Sequence, residues 1–216
     1  MDTTADGYLD SGRLDNLRER FPYRKNSVEM AVSSEDEILV TAAAGGDDEA
    51  FCRLVEKHQE RIYHFCFQWL RQSEDAREAC QDTFVRVYQS LGKYRSQGRF
   101  TSWLLRIALN QCRDRYRSKG AQQQRNTDPL PVIQPELICQ NSGPDDLAAI
   151  ATDLEMLWLG IDQLPTKLRE VLILCAVEGV SQEETASIIG CSIRAVEGRL
   201  YRARKTLEAW WKSQRG

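Results

Sequence analysis

Apolar residues recur along most of this chain at helical spacing. Leu154, Leu157, Trp158 and Ile161 stand at i, i+3, i+4 and i+7, which puts all four on one face of a helix turning about 100° per residue. The same period runs through Ile62, Tyr63, Cys66, Phe67 and Leu70. It returns in Cys80, Phe84, Val87, Tyr88 and Leu91, in a helix predicted to start at Ser73 and end near Gly92. Breaks fall where helices have to stop. Gly45-Gly46-Asp47 interrupts one helix and leaves Asp47 to cap the next, which carries Phe51, Leu54 and Val55. Pro165 suits the first turn of a helix through Leu168, Val171, Leu172 and Cys175 that runs until Gly179. Ser34-Glu-Asp-Glu37, ahead of Ile38, Leu39 and Val40, has the form of a capping box. A long helix is predicted over 101–118, entered through a turn at Ser96-Gln-Gly98. No stretch alternates convincingly with period two, so the fold class expected is all-α.

The helical pattern fails in two places. Residues 1–33 mix Gly, Asp, Arg and Pro without sustained periodicity and read as a flexible extension. Pro129, Pro131, Pro135 and Pro144 crowd the segment after Asn126, a density that excludes regular helix and marks a linker. The expected organisation is therefore two small helical domains, 34–119 and 152–216, joined by a linker over 120–151.

Charge sharpens this division. From Lys93 to Arg125 nine basic residues face a single acid, Asp114, whereas from Asn126 to Leu164 there is no Lys or Arg at all. The C-terminal end is basic again from Arg194 onward. Two basic blocks separated by an acidic, proline-rich strip point to two nucleic-acid contacts joined by a segment that stays off DNA. The net charge of −3 conceals all of this.

The second basic block lies in a helix-turn-helix pattern. Ser181-Gln-Glu-Glu184 opens a short helix with Ala186, Ile188 and Ile189 inward, Gly190-Cys191-Ser192 makes a tight turn, and Ser192 caps the next helix. In that helix Val196, Leu200, Ala203 and Leu207 form a narrow apolar stripe. Arg194, Gly198, Tyr201 and Lys205 occupy the opposite face, flanked by Glu197 and Arg202. Arg reads guanine edges bidentately, Glu accepts from cytosine, and Tyr packs on thymine methyls or reaches phosphate. Arg199, Arg204 and Lys212 are placed for phosphates, which position without reading sequence.

The first basic block has different neighbours. Arg106, Asn110, Arg113 and Arg117 recur at i, i+4, i+7 and i+11, opposite Leu104, Ile107 and Ala108, and Tyr94, Phe100 and Trp103 lie just before or beside them. A basic stripe with aromatics is the equipment of single-strand binding, where each stacked base contributes about 1–3 kcal/mol. Asn110 can also hydrogen-bond an extruded base edge. Phe100 and Trp103 taken singly read first as core residues.

Other chemistry finds little support. Seven scattered cysteines contain no CxxC pair, only His58 and His64 could join them, and most fall among apolar helical residues as small hydrophobes. No cofactor, metal set, phosphate-cradling glycine loop or nucleophile–base pair emerges, so an enzyme acting on a small-molecule substrate is not expected. Nothing approaches the roughly 20 apolar residues of a membrane span, and the N-terminus has no secretory h-region, so a cytoplasmic location is expected. A stand-alone duplex-binding regulator is the rival reading. It leaves the stripe from Arg106 to Arg117 without a purpose.

Several segments resemble one family in the right order. Asp48-Glu-Ala-Phe-Cys-Arg-Leu-Val-Glu-Lys-His58, Ser73-Glu-Asp-Ala-Arg-Glu-Ala-Cys-Gln-Asp-Thr-Phe84 and Lys93-Tyr-Arg-Ser-Gln-Gly-Arg-Phe-Thr-Ser-Trp-Leu-Leu-Arg-Ile-Ala108 resemble the promoter-melting domain of extracytoplasmic-function (ECF) sigma factors of bacterial RNA polymerase. Leu164-Pro-Thr-Lys-Leu-Arg-Glu-Val-Leu172, Glu178-Gly-Val-Ser-Gln-Glu-Glu-Thr-Ala186 and Val196-Glu-Gly-Arg-Leu-Tyr-Arg-Ala-Arg-Lys205 are similar to the second domain, which binds the −35 element. The resemblance implies that 34–119 binds core polymerase and the −10 element, with Gln81, Asp82 and Arg86 as core or DNA contacts at the clamp coiled coil. It implies that Tyr94, Asn110 and Asp114 help hold a flipped −10 base, and that Arg194, Glu197, Gly198, Tyr201 and Arg202 read the −35 element. The linker would thread toward the RNA path of the polymerase. Partners implied are core polymerase at its clamp and flap, promoter DNA, and an anti-sigma factor of the kind often anchored in a membrane. Asp114 and Glu197-Gly198 depart from the family's commonest residues, which points to an unusual promoter preference.

Overall fold

The structure is a computed structural model that describes residues 28–95, 99–122 and 144–215, with side chains for 35–95, 99–118 and 152–214. Among the described residues every regular element is helical. They form two compact units, one carrying the helices from Val28 to Gln122 and the other those from Pro144 to Arg215.

In the first unit α1 spans Val28–Ala44, α2 Asp48–Leu70, α3 Ser73–Ser90 and α4 Phe100–Gln122, with a 3-10 turn at Leu91–Lys93. Asp47 caps α2 as its sequence predicts, its carboxylate accepting the Ala50 N–H at 3.1 Å. The helix ends at Arg71, whose left-handed backbone (φ 54°) lets its N–H reach the Phe67 carbonyl at 2.8 Å. Helix α2 buries Ala50, Leu54, His58, Ile62, Phe65, Cys66, Trp69 and Leu70, steps of three and four that make one continuous stripe. Against it lie Ala76, Ala79, Cys80, Phe84 and Val87 of α3 and Leu104, Leu105, Ala108, Leu109 and Cys112 of α4. Each fully buried Leu, Ile or Phe contributes about 1.5–3 kcal/mol to this core. Outside it, the Arg115 guanidinium spans from α4 to Glu78 (2.7 Å) and Asp82 on α3.

Two expectations for this unit change. Helix α1 begins at Val28, so Ser34 lies inside a helix and Ser34–Glu37 is not a cap. Val28-Glu-Met-Ala-Val32 holds no Gly or Pro, and nothing in it obliges the helix to wait for Ser34. Tyr88, read as part of a buried stripe, is half exposed; its ring meets Phe51 edge-on and its hydroxyl donates to Asp48 at 2.9 Å.

In the second unit α5 spans Pro144–Asp162, α6 Thr166–Leu172, α7 Gln182–Ile189 and α8 Ile193–Arg215, with a π-helical turn at Ile173–Val177. Pro165 stands at the cap just before α6 rather than in its first turn. Residues Val171 to Cys175 are buried throughout, with Trp158, Ile161 and the α8 stripe around them. Arg169 is 2% exposed and pairs with Asp162 at 2.7 Å; a buried charge persists only with such a partner. At Gly160 a β-carbon would lie 2.6 Å from Leu207 and the Trp210 ring, so α5 and α8 meet there with no room for a side chain.

Helical structure enters the 120–151 span from both sides, because α4 reaches Gln122 and α5 starts at Pro144. Proline at the first helical position loses no hydrogen bond. Pro129, Pro131, Pro135 and Cys139 lie outside the described residues, as do residues 1–27. Cys66, Cys80, Cys112 and Cys175 are buried, Cys191 half-buried and Cys52 exposed, all as free thiols. Burial, with Cys66 nearby, pushes the Cys80 thiol up to about 12, which leaves it inert. No group of three or more metal-ligating side chains occurs among the described residues. None of their helices is long and apolar enough to cross a membrane.

Candidate nucleic-acid interfaces

Helix α4 presents Arg106, Asn110 and Arg117 to solvent with Arg113 half-buried beside them, all on the face opposite Leu104 and Ala108. Ile107 is half-buried and belongs to the flank rather than the core. The Arg113 guanidinium donates to Asn110 Oδ1 at 3.1 Å, which fixes the amide with its NH2 group pointing away. Asp114, on the same side, lies 3.7 Å from Arg117 and leaves the face strongly positive. Arg115 turns the other way, to α3.

Beside this face the aromatic residues form one cluster. The Tyr94 ring packs on Trp103 at 4.9 Å and meets Phe100 at 5.9 Å, edge to face. Phe100 is only 2% exposed, in agreement with its reading as core, whereas Trp103 and Tyr94 are half-buried and keep an edge at the surface. Below them the His58 ring meets Phe100 edge-on at 5.4 Å. His58 Nε2 lies 3.1 Å from Asp36 Oδ2, and both residues are buried. Lys57 Nζ reaches Asp36 at 2.9 Å and Glu35 at 2.6 Å. Burial raises the Asp36 carboxyl, but hydrogen bonds from His58 and Lys57 and their charges outweigh it and hold the group below the ordinary aspartate value. Glu37, next on α1, accepts the Tyr94 hydroxyl at 2.5 Å.

Glu35, Asp36, Glu37 and His58 were not legible as site residues. Their partners lie 22 to 57 positions away in sequence, and the acidic run has the look of a cap.

On α3, Gln81 and Arg86 are exposed, and Asp82 is engaged by Arg115. Val85 (56%) and Tyr88 (50%) are exposed between them, a partly apolar strip that the sequence did not single out. Val85 stands off the buried stripe by one step of the helical wheel, and that offset was the available signal.

In the second unit the helix-turn-helix forms as read. Ser181 Oγ accepts the Glu184 N–H at 3.2 Å and donates to its carboxylate. Gly190 turns with φ 72°, a conformation that favours glycine. Ser192 Oγ then accepts the Ala195 N–H at 3.2 Å and starts α8. Val196, Leu200, Ala203 and Leu207 are buried, while Arg194, Glu197, Tyr201, Arg202 and Lys205 are exposed on the other side. Arg202 Nε donates to the Gly198 carbonyl at 3.1 Å, and Lys205 Nζ hangs 6.0 Å over the Tyr201 ring. Arg199 is half-buried and folds back toward the turn, 3.8 Å from the Cys191 sulfur.

These two faces coincide with two matches to known families. Residues 54–122 match Sigma-70 region 2 and residues 154–207 match Sigma-70 region 4. Over 184 residues the chain is 34% identical to the RNA polymerase sigma factor CnrH of Cupriavidus metallidurans, covering 83% of this chain and 96% of that one. It is 30% identical to the ECF RNA polymerase sigma factor SigE of Mycolicibacterium smegmatis, covering 82% and 69%. The chain belongs to the ECF sigma factors.

As an ECF sigma factor it serves promoter recognition and transcription initiation. The solved structure of CnrH in complex with the cytosolic domain of CnrY aligns with a TM-score of 0.60 at 32% identity, covering 83% of this chain and 98% of that one. RpoE of Bartonella quintana, solved with the anti-sigma factor NepR, aligns at 0.59 and 23% identity over 75% and 96%, and supports the fold. Within this sigma factor the region 2 match takes in α3, α4 and the aromatic cluster, and the region 4 match takes in α7 and the exposed face of α8. Helix α1, which carries Glu35, Asp36 and Glu37, precedes both matches.

Proposed function

We propose that this sigma factor reads the −35 element with α8 and opens the −10 element with α4 and the aromatic cluster, acting on core RNA polymerase without catalysis of its own. What carries the reading is that the two outward basic faces differ in chemistry. The α4 face has a cluster of packed aromatic rings beside it, whereas the α8 face carries Tyr201 among its charged side chains. On α8, Arg194, Glu197, Tyr201, Arg202 and Lys205 would meet base edges and phosphates of duplex DNA, with Gly198 admitting close approach and Arg199 available for phosphate. On α4, Arg106, Arg113 and Arg117 would follow a separated strand, and Asn110 and Tyr94 would hold an unstacked base. Capture offsets part of the unpairing cost, a few kcal/mol. Asp114 would repel phosphate locally and bias where the strand runs.

Gln81, Asp82 and Arg86, with exposed Val85 and Tyr88, form the surface we assign to the clamp coiled coil of the polymerase. The span 120–151 would cross the polymerase toward its RNA path and flap. An anti-sigma factor is the expected regulator, since CnrH was solved with the cytosolic domain of CnrY and the Bartonella RpoE with the anti-sigma factor NepR. The site of action is the cytoplasm. Run-off transcription with core polymerase on fragmented genomic DNA tests the reading. New discrete transcripts that vanish with Asn110→Ala or Arg202→Ala support it; a retarded duplex with neither transcripts nor core binding overturns it.

A further inference from the structure

Three consecutive carboxylates on α1 reach groups beneath or beside the melting surface. Glu35 takes Lys57, Asp36 takes His58 and Lys57, and Glu37 takes the Tyr94 hydroxyl. Three successive residues on a helix point about 100° apart; here Asp36 is buried, Glu37 is half-buried, and Glu35 is exposed and pairs with Lys57. Helix α1 lies across α2 and the turn before α4. The result is a layered contact. Asp36 is 1% exposed under His58, His58 supports Phe100, Phe100 and Trp103 flank Tyr94, and Glu37 holds the far end of Tyr94.

We infer that α1 is a brace for the melting surface and that Glu37 is a positioning residue, fixing the Tyr94 ring through its hydroxyl. Tyr94 stands just past the 3-10 turn, and its N–H closes that turn onto the Leu91 carbonyl at 3.0 Å. That bond holds the backbone, and the ring is oriented by the groups that its hydroxyl and faces meet. A phenol anchored at one end presents a fixed edge and face to an incoming base, and a ring that is already ordered loses less freedom when the base arrives. The brace lies upstream of the residues that match region 2. The inference rests on the assignment of the aromatic cluster to −10 strand capture.

The test separates the brace from that assignment. Holoenzyme is assembled with full-length wild type, Glu37→Leu, Glu37→Gln, Tyr94→Phe, the Glu37→Leu/Tyr94→Phe double variant, and Trp103→Ala. Open-complex formation is read by permanganate reactivity of −10 thymines, core binding and −35 duplex binding are measured in parallel, and thermal melting confirms folding. Glu37→Gln keeps an acceptor oxygen and should melt the promoter within about twofold of wild type. Glu37→Leu and Tyr94→Phe should each slow opening by about five- to tenfold, the cost of one such hydrogen bond. The double variant should be no worse than either alone, and core and −35 binding should not change. Opening at the wild-type rate in Glu37→Leu, equal loss in Glu37→Gln, or a parallel loss of core binding would each overturn the brace. If Trp103→Ala also opens normally, the aromatic cluster itself has been misassigned.

Discussion

On α8, Arg194, Glu197, Tyr201 and Arg202 stand on unbroken helix, backed one turn away by Val196, Leu200 and Ala203. The surface beside α4 that we assign to melting is assembled instead from α1, α2, the turn at Leu91–Lys93 and α4 itself, with a tyrosine outside any helix at its centre. Duplex DNA offers a preformed groove, so a rigid helix with outward side chains suffices to read it. An unstacked base offers no fixed surface, and the protein has to supply one. The contrast explains why one face is secured by an apolar stripe and the other by a chain of polar and aromatic contacts between elements distant in sequence.

The largest expected effect comes from breaking the support of α8. Leu200→Ala empties a buried position and should destabilise the second unit by about 2–5 kcal/mol. Calorimetry should show one transition moving while the other, from the first unit, stays in place. A single transition displaced as a whole would mean that the two units do not unfold independently.

A crossed pair of substitutions sharpens the comparison itself. Arg202→Ala should weaken −35 duplex affinity by roughly tenfold, within the 1–3 kcal/mol of one base contact, and leave −10 opening unaffected once polymerase is bound. Asn110→Ala should do the reverse, with duplex affinity unchanged and thymine reactivity reduced. Gel retardation on −35 duplexes and permanganate footprinting read the two arms. Equal losses in both assays for either variant would erase the distinction between the faces.

The two faces were also unequally legible. Everything that forms α8 is local: Ser181 and Ser192 cap within three residues, Gly190 turns, and the stripe Val196–Leu200–Ala203–Leu207 repeats at helical spacing. Local rules recovered it. The basic stripe of α4 was legible for the same reason. The brace was not, because its contacts run between α1 and positions up to 57 residues away, and no periodicity encodes such pairing. Glu35-Asp36-Glu37 even carried a misleading local signal, since Ser34 followed three residues later by Glu37 matches a capping box. Tyr88 misled similarly: an aromatic next to Val87 reads as core until the exposed carboxylate of Asp48 is found to take its hydroxyl.

Acid should loosen the melting surface through Asp36. Because its folded-state carboxyl titrates below the ordinary value of 3.8, the ionised group stabilises the fold at any pH above that value. The contribution fades as pH falls from there through the lower folded-state value. Asp36→Asn removes it at every pH. Thermal melting of the first unit should therefore lose part of its slope below about pH 4 in Asp36→Asn, while the second unit melts as in wild type. An unchanged slope would show that Asp36 is not among the groups linking this unit to pH.

The smallest effect concerns a position that packing leaves free. Gly198 sits in the second turn of α8 with ordinary helical backbone, and a β-carbon built there meets nothing within 4 Å. Neither strain nor crowding requires glycine, and glycine inside a helix costs about 0.5–1 kcal/mol relative to alanine. Gly198→Ala should thus raise the stability of the second unit by that amount. Its β-carbon would project between Arg194, Tyr201 and Arg202, the side chains assigned to the −35 element. If DNA approaches the helix closely at that notch, the more stable variant should bind −35 duplex more weakly, a small loss in affinity against a gain in melting temperature. A variant that gains stability and keeps full affinity would mean that the groove floor stays clear of the helix backbone, and that α8 reads DNA through its long side chains alone.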